Sequence, residues 1–287
     1  EATEARKELA DIREEIVSAK EEWQKVKDNI QEEKQTLQFE VDAIKQDKRK
    51  HLEKKRKVFE SCLKGRKKDF LIAVSDGMGG HSSGEVASLL TVKYLSDNIR
   101  KFLNNADDKE TLNAEFAKLN KHVTDFSKKH TECKNMGATL CGIICKNQKM
   151  IGFNIGDSRL YCFKDGKLNQ ISVDHTEGQR LLNLNLLNED EVRRFPRRKH
   201  LYKYIGANVE LTADIFDVEY SENTSFLLCS DGLTDALSDI EIESILNMND
   251  DIKVRGSALI DAAIERNEGY GDNITVVLIE FNQGEIN

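Results

Sequence analysis

Proline is nearly missing from this chain: of 287 residues, Pro196 alone is one. That excludes proline-rich spacers and polyproline recognition segments. Cysteine is present six times, at Cys62, Cys133, Cys141, Cys145, Cys162 and Cys229, but never as a C-x-x-C pair. Scattered thiols inside apolar runs argue against a disulfide scaffold or a zinc ribbon and fit reduced, buried side chains in a cytoplasmic protein. No apolar run approaches the roughly 18 residues of a membrane helix, and no signal-peptide pattern opens the chain, so no direct membrane contact is expected. An excess of positive charge is lacking too. Residues 1–64 balance 16 basic against 16 acidic side chains, which leaves the whole net charge of −8 to residues 65–287. An acidic globular part repels nucleic acid, so no nucleic-acid partner is expected.

Residues 1–55 contain neither glycine nor proline and are rich in Glu, Lys, Arg and Gln. Ala5, Leu9, Ile12, Ile16, Ala19, Trp23, Val26 and Ile30 alternate steps of four and three, and Leu37, Val41 and Ile44 continue the series after a polar interruption. This is a heptad seam, and it predicts a long coiled-coil helix, about 80 Å at 1.5 Å per residue. A single helix cannot bury such a stripe, so a homodimer or a partner helix is expected through 1–55. A charged single helix held by i,i+4 pairs is the competing reading.

The apolar run from Phe70 to Val74 delivers Ser75, Asp76 and Gly77 to a strand end, and Ser225 to Cys229 delivers Ser230, Asp231 and Gly232 in the same way. Asp272, in Gly271-Asp272-Asn273, stands just before the apolar run 274–279. Each support is stiff, and glycine beside each carboxylate lets backbone or ligand approach closely. If the three converge, two carboxylates about 4 Å apart repel by roughly 4 kcal/mol at an effective dielectric near 20, and a cation is the remedy. All-oxygen ligands point to a hard ion, magnesium or manganese. Asp76 suits a bridging position, the Gly77 carbonyl can add an oxygen, and Asp231 and Asp272 hold the ions from the other side.

Between these points the pattern predicts a strand at 58–63, a helix opened by Ser82 and Glu85 and running to about Leu103, and a second helix opened by Asp107 and Glu110. Strands follow at 139–145, 150–155 and 160–163, with an Asp165-Gly166 hairpin turn before a strand at 168–173. Residues 174–205 read as a mobile flap, helical over 181–187, with a basic stretch at 193–199. Two helices come next, one capped by Ser238 and Glu241 and one near 251–267, and a last strand covers 274–281. Taken alone, Asn154 to Arg159 reads as a hairpin turn with a surface ion pair.

Asp76-Gly77-Met78-Gly79-Gly80-His81, Gly137-Ala138-Thr139-Leu140, Gly156-Asp157-Ser158-Arg159, Asp174-His175-Thr176, Ser230-Asp231-Gly232 and Gly271-Asp272-Asn273 occur in that order. Together they resemble the metal-dependent serine/threonine protein phosphatases of type 2C (PPM), bacterial branch, over about residues 56–281. The resemblance implies an α+β fold, an antiparallel β-sandwich flanked by helices on both faces, here preceded by the long helix. The phosphatase domain would be 56–287. It implies two or three manganese or magnesium ions, with Asp76, Gly77, Asp231 and Asp272 at a two-metal core and Asp157 joining Asp272 at a third ion. His81 would serve as general acid. Arg56 and Glu60 fall where the family's first strand carries a phosphate-clamping arginine and a glutamate near the metals, whereas Phe59 and Ser61 depart from the family's Asn and Asp. The implied activity is hydrolysis of phosphoserine and phosphothreonine by a metal-activated water, with no covalent intermediate. A pseudophosphatase that binds without catalysis and a metal-dependent nuclease are the rival readings.

Overall fold

The computed structural model describes residues 69–78, 82–221, 223–267 and 271–281. The helix expected at 1–55, the strand expected at 58–63, and Arg56, Glu60 and His81 lie outside the described residues.

In chain order, β1 (Phe70–Val74) and the two-residue β2 (Gly77–Met78) lead into α1 (Ser82–Asp97), α2 (Ile99–Asn104) and α3 (Lys109–Lys129). Then come β3 (Gly137–Ala138), β4 (Leu140–Lys146), β5 (Lys149–Ile155), β6 (Arg159–Lys164) and β7 (Lys167–Gln170). Residues of the flap form α4 (Glu177–Asn183) and α5 (Glu189–Arg194). The chain continues through β8 (Asp214–Val218), β9 (Thr224–Cys229), α6 (Asp231–Ala236), α7 (Asp239–Leu246), α8 (Ile252–Arg266) and β10 (Val276–Glu280).

Two antiparallel four-stranded sheets result, ordered β1-β4-β5-β8 and β10-β9-β6-β7. Alternation along each strand sends one set of side chains between the sheets and the other toward helices. Ile72, Val74, Cys141, Ile143, Leu160, Phe226 and Leu228 meet between the sheets. Leu140, Ile144, Ile151, Phe153 and Ile155 turn outward onto Leu112, Phe116 and Leu119 of α3 and Phe102 of α2. On the opposite side Tyr161, Leu227 and Cys229 meet Leu233, Ile242 and Leu259 of α6, α7 and α8. The layers are helix, sheet, sheet, helix, as expected. Strands buried on both faces must be apolar at every position, which is why β4 and β9 read as continuous runs rather than alternating ones. Each fully buried Phe or Leu contributes about 1.5–3 kcal/mol.

Local departures have local causes. The helix expected to reach Leu103 breaks at Asn98, whose side-chain amide donates back to the Tyr94 carbonyl at 2.9 Å, competing with the backbone ladder. The second helix is capped by Asp108, which accepts from the Glu110 N–H, while Asp107 pairs instead with Lys146 at 2.6 Å. In the flap the helix starts earlier than 181, because Thr176 accepts from Gln179 N–H, and a second helix opens with a capping box between Asn188 and Glu191. The Asp165-Gly166 turn is as expected, with φ of 51° and 76°, the signature of a two-residue hairpin. Ser238 and Glu241 form the expected capping box.

Candidate metal centre and active site

Asp76 leaves the end of β1 and is held there by Thr139, the residue between β3 and β4. The Asp76 N–H donates to Thr139 Oγ1 at 2.9 Å, and the Thr139 N–H returns a bond to the Asp76 carbonyl at 2.7 Å. Ser75 Oγ donates to the Thr139 carbonyl at 2.7 Å, and Thr139 Oγ1 lies 2.6 Å from Ser158 Oγ. On the second sheet Ser230 plays the matching part. Its N–H donates to the Thr275 carbonyl at 3.1 Å, its Oγ accepts from Thr275 N–H at 3.0 Å and donates to the Asn273 carbonyl at 3.1 Å. Asp231, first residue of α6, and Asp272 are thereby fixed on adjacent segments.

These supports bring the carboxylates together. Asp76 and Asp231 lie against one another, close enough to share a proton, and the charge of Asp272 acts on both. Burial, then the charge of Asp231, a hydrogen bond to it and the charge of Asp272 push the Asp76 carboxyl up to about 7. Asp231 is also raised, by burial first and by the charges of Asp235 and Asp272. Asp157, at the β5–β6 turn, is pushed up to about 7 by burial, then by Asp231 and Asp174. Desolvated like charges produce such shifts when no cation offsets them.

The orientation of each oxygen matters as much as the charge. Asp76 Oδ1 accepts the Gly77 N–H at 2.8 Å and Asp272 Oδ1 accepts the Asn273 N–H at 2.7 Å, so in each case one oxygen is occupied and the other is left to point away. Asp231 Oδ1 is buried with no hydrogen-bond partner. A buried carboxylate oxygen without a partner costs several kcal/mol unless a cation or water meets it. A hard divalent ion fits this donor set. Among the described residues no three acid, histidine or cysteine side chains close a complete cage, and ions of this kind keep several waters and use one or two carboxylates.

The sequence model of the family described as Protein phosphatase 2C matches residues 59–253. A serine/threonine phosphatase, stp, of Listeria welshimeri is 33% identical over 215 residues, covering 74% of this chain and 84% of that protein. The chain belongs to the protein phosphatase 2C family. Among solved structures, the serine/threonine phosphatase of S. agalactiae superposes on the phosphatase with a TM-score of 0.68 at 25% identity, over 76% of this chain and 95% of that one. The catalytic domain of the serine threonine protein phosphatase PstP, solved in complex with two manganese ions, does so with a TM-score of 0.58 at 30% identity, over 75% of this chain and 92% of that one. This chain is a metal-dependent protein phosphatase, and the reading of it as a scaffold without catalysis is set aside.

Of the site residues expected from sequence, the phosphatase brings Asp76, Gly77, Asp157, Asp231 and Asp272 to one end of the sandwich. The roles of Thr139 and Ser230 were not assigned from sequence; Ser230 stands next to a strand-end carboxylate, but nothing beside Thr139 in the chain marks it as the partner of Asp76. Arg159 corrects a reading. Its partner is Asp174, at 2.7 Å, with side chains only 26% and 9% exposed, so the pair is largely buried rather than a surface one. His175 ties the same region together. Its Nδ1 accepts the Gly156 N–H at 3.0 Å, which places the ring proton on Nε2, facing Asp214 Oδ2 at 3.1 Å but off the line of a hydrogen bond.

Glycine at 77 is dictated by a helix. A Cβ there would stand 2.0 Å from the Gly84 carbonyl oxygen in the first turn of α1, a backbone atom that cannot step aside. Gly77→Ala is expected to lower stability by about 1–3 kcal/mol and to cut turnover, because the displaced strand end carries Asp76. The urea midpoint and the rate on para-nitrophenyl phosphate check this; a variant matching the parent in both would show that the close approach is not needed.

Proposed function

We propose that Asp76, Asp231 and Asp272, with the Gly77 carbonyl, hold two divalent ions, manganese or magnesium, that Asp157 and Asp272 hold a third, and that this centre hydrolyses phosphoserine and phosphothreonine in protein substrates. The observation that carries the reading is the buried, partnerless Asp231 Oδ1 on a carboxyl that neighbours a second, half-buried one, Asp76. Such ions supply Lewis acidity to phosphoryl oxygens and make water nucleophilic near neutral pH. The chain's own part is placement. The Gly77 and Asn273 N–H groups each occupy one carboxylate oxygen, so the direction of the free oxygen is set before any substrate arrives, and little reorganisation remains for the reaction.

A covalent route through cysteine finds no support. Cys229, two residues before Asp231, is wholly buried, and burial pushes its thiol up to about 12, far from the thiolate a nucleophile needs. The five described cysteines are all free. No helix among the described residues is long and apolar enough to cross a membrane. The heptad seam at 1–55 supports a dimerising or signal-transmitting role for that segment.

The test is chelation followed by resupply. Protein stripped of metal should lose turnover on a phosphothreonine peptide and regain it with manganese or magnesium, with two or three ions bound per chain by calorimetry. Turnover that survives chelation, or a stoichiometry of zero, overturns the proposal.

A further inference from the structure

Five of the seven positions 193–199 are basic, Arg193, Arg194, Arg197, Arg198 and Lys199, in a part of the chain whose net charge is −8. Of these, Arg193 meets Asp190 loosely at 3.8 Å with both side chains 76% exposed, and Lys199 pairs with Asp235. Arg194, Arg197 and Arg198 are exposed and form no ion pair among the described residues. Charged runs are ordinarily a solvated face, so position and stiffness decide whether this one does more.

Both are given by the anchors. The Gly178 N–H donates to the Arg198 carbonyl at 3.0 Å and the Glu177 N–H to the His200 carbonyl at 2.9 Å; Thr176 and Leu201 form an antiparallel bridge. Within the strip, Arg198 N–H bonds the Phe195 carbonyl and His200 N–H the Arg197 carbonyl, at 3.1 and 2.9 Å. The backbone beneath the arginines is therefore pinned, which lowers the entropy lost when they bind. The segment it is pinned to continues into His175, whose N–H donates to the Gly156 carbonyl at 2.9 Å, next to Asp157. At the same end Lys199 holds Asp235, one turn beyond Asp231 on α6. The C-terminal end of the strip is thus tied to two segments that lead to candidate metal ligands, one to Asp157 and one to Asp231.

We infer that this strip is a docking surface for an acidic stretch flanking the phosphorylated residue of a protein substrate. The inference rests on the proposed reading of the carboxylate centre, to whose supporting segments the strip is anchored. Three free guanidinium groups on a fixed backbone match carboxylates in bidentate fashion. The acidic remainder of the domain repels a long polyanion but not a short acidic segment laid along the strip, which favours a peptide over nucleic acid. Opposite charge at the rim acts mainly on encounter rate and on choice of partner.

Three phosphothreonine peptides that share a core but carry acidic, neutral or basic flanks separate the outcomes. The acidic peptide should show roughly a tenfold higher kcat/KM than the neutral one at low salt, the range that three exposed ion contacts allow, with the advantage shrinking as salt rises. It should vanish in R194Q/R197Q/R198Q and be weakened but not lost in the triple lysine variant, which keeps the charge without the planar fork, while turnover of para-nitrophenyl phosphate with manganese stays at the parent level in both. Equal kcat/KM for acidic and neutral peptides, or a preference intact in the triple glutamine variant, overturns the inference. Binding of the same peptides by fluorescence anisotropy reads the strip without turnover, so an inactive parent that still prefers the acidic peptide sinks the catalytic reading and keeps the surface. Displacement of the acidic peptide by a lower concentration of an equally charged single-stranded oligonucleotide overturns it in favour of nucleic acid.

Discussion

Asp231→Asn should abolish most of the activity while making the metal-free protein more stable. The two effects have one cause. Asp231 is a half-buried carboxylate against Asp76, with its buried Oδ1 lacking any partner, so it raises the free energy of the folded chain by desolvation and repulsion. The amide keeps the shape, drops the charge and brings a donor toward Asp76, which relieves that strain. The same charge is what a divalent ion would bind, and Lewis-acid assistance is worth several kcal/mol, so turnover on para-nitrophenyl phosphate should fall about 10²- to 10⁴-fold at 1.36 kcal/mol per tenfold. Thermal melts in a chelator should show an unchanged or higher midpoint, and the shift on adding manganese should shrink. A variant within a few-fold of the parent rate would remove Asp231 from the centre, and a lower midpoint in chelator would refute the electrostatic account of its burial.

What could be read from sequence followed the strength of the local physical signal. Strands buried on both faces leave long apolar runs, and β4, β5 and β9 were legible for that reason; β1, at a sheet edge, was legible because all five of its residues are apolar. The strand β8 was not, because Asp214-Ile215-Phe216-Asp217-Val218 lies at a sheet edge, and its two aspartates, paired with Lys203 and Lys109, make it read as loop. The strand-end aspartates were visible because glycine beside an acid is doubly constrained. The clasp that aligns them was not, since Thr139 and Ser230 act across separations of 63 and 43 residues, which no local window contains. Helix starts shifted by a residue or more wherever two acids or hydroxyls competed to cap, as Asp107 and Asp108 do. The role of Arg159 was misread for the same long-range reason: its partner Asp174 stands 15 residues on, and burial of the pair is a property of the sandwich rather than of the turn.

That pair gives the second large effect, this time on stability. Asp174 accepts from Arg159 Nε at 3.0 Å and Nη2 at 2.7 Å and from Gln170 Nε2 at 2.9 Å. Arg159 Nη1 donates to the Tyr161 hydroxyl at 3.0 Å, which donates to Asp239 Oδ1 at 2.9 Å. Burial works against the guanidinium charge, but the hydrogen bond and charge of Asp174 outweigh it and hold the Arg159 pKa above its ordinary value. Asp174→Ala removes the compensation and leaves the buried cation, a change that costs about 3–5 kcal/mol in a fully buried pair. Asp239 remains 4.0 Å from Arg159 Nη1 and the arginine side chain is 26% exposed, so the lower end, about 3 kcal/mol, is expected. Removing both charges should be far milder: in Asp174→Ala with Arg159→Met the buried cation is gone and an apolar chain of similar length fills its path. Urea denaturation with an unchanged slope would show a midpoint well below the parent for the single variant and a recovery of at least half the loss in the double one. If the double variant is as unstable as the single, Asp174 acts through its bond to Gln170, and the uncompensated cation is not the source of the loss.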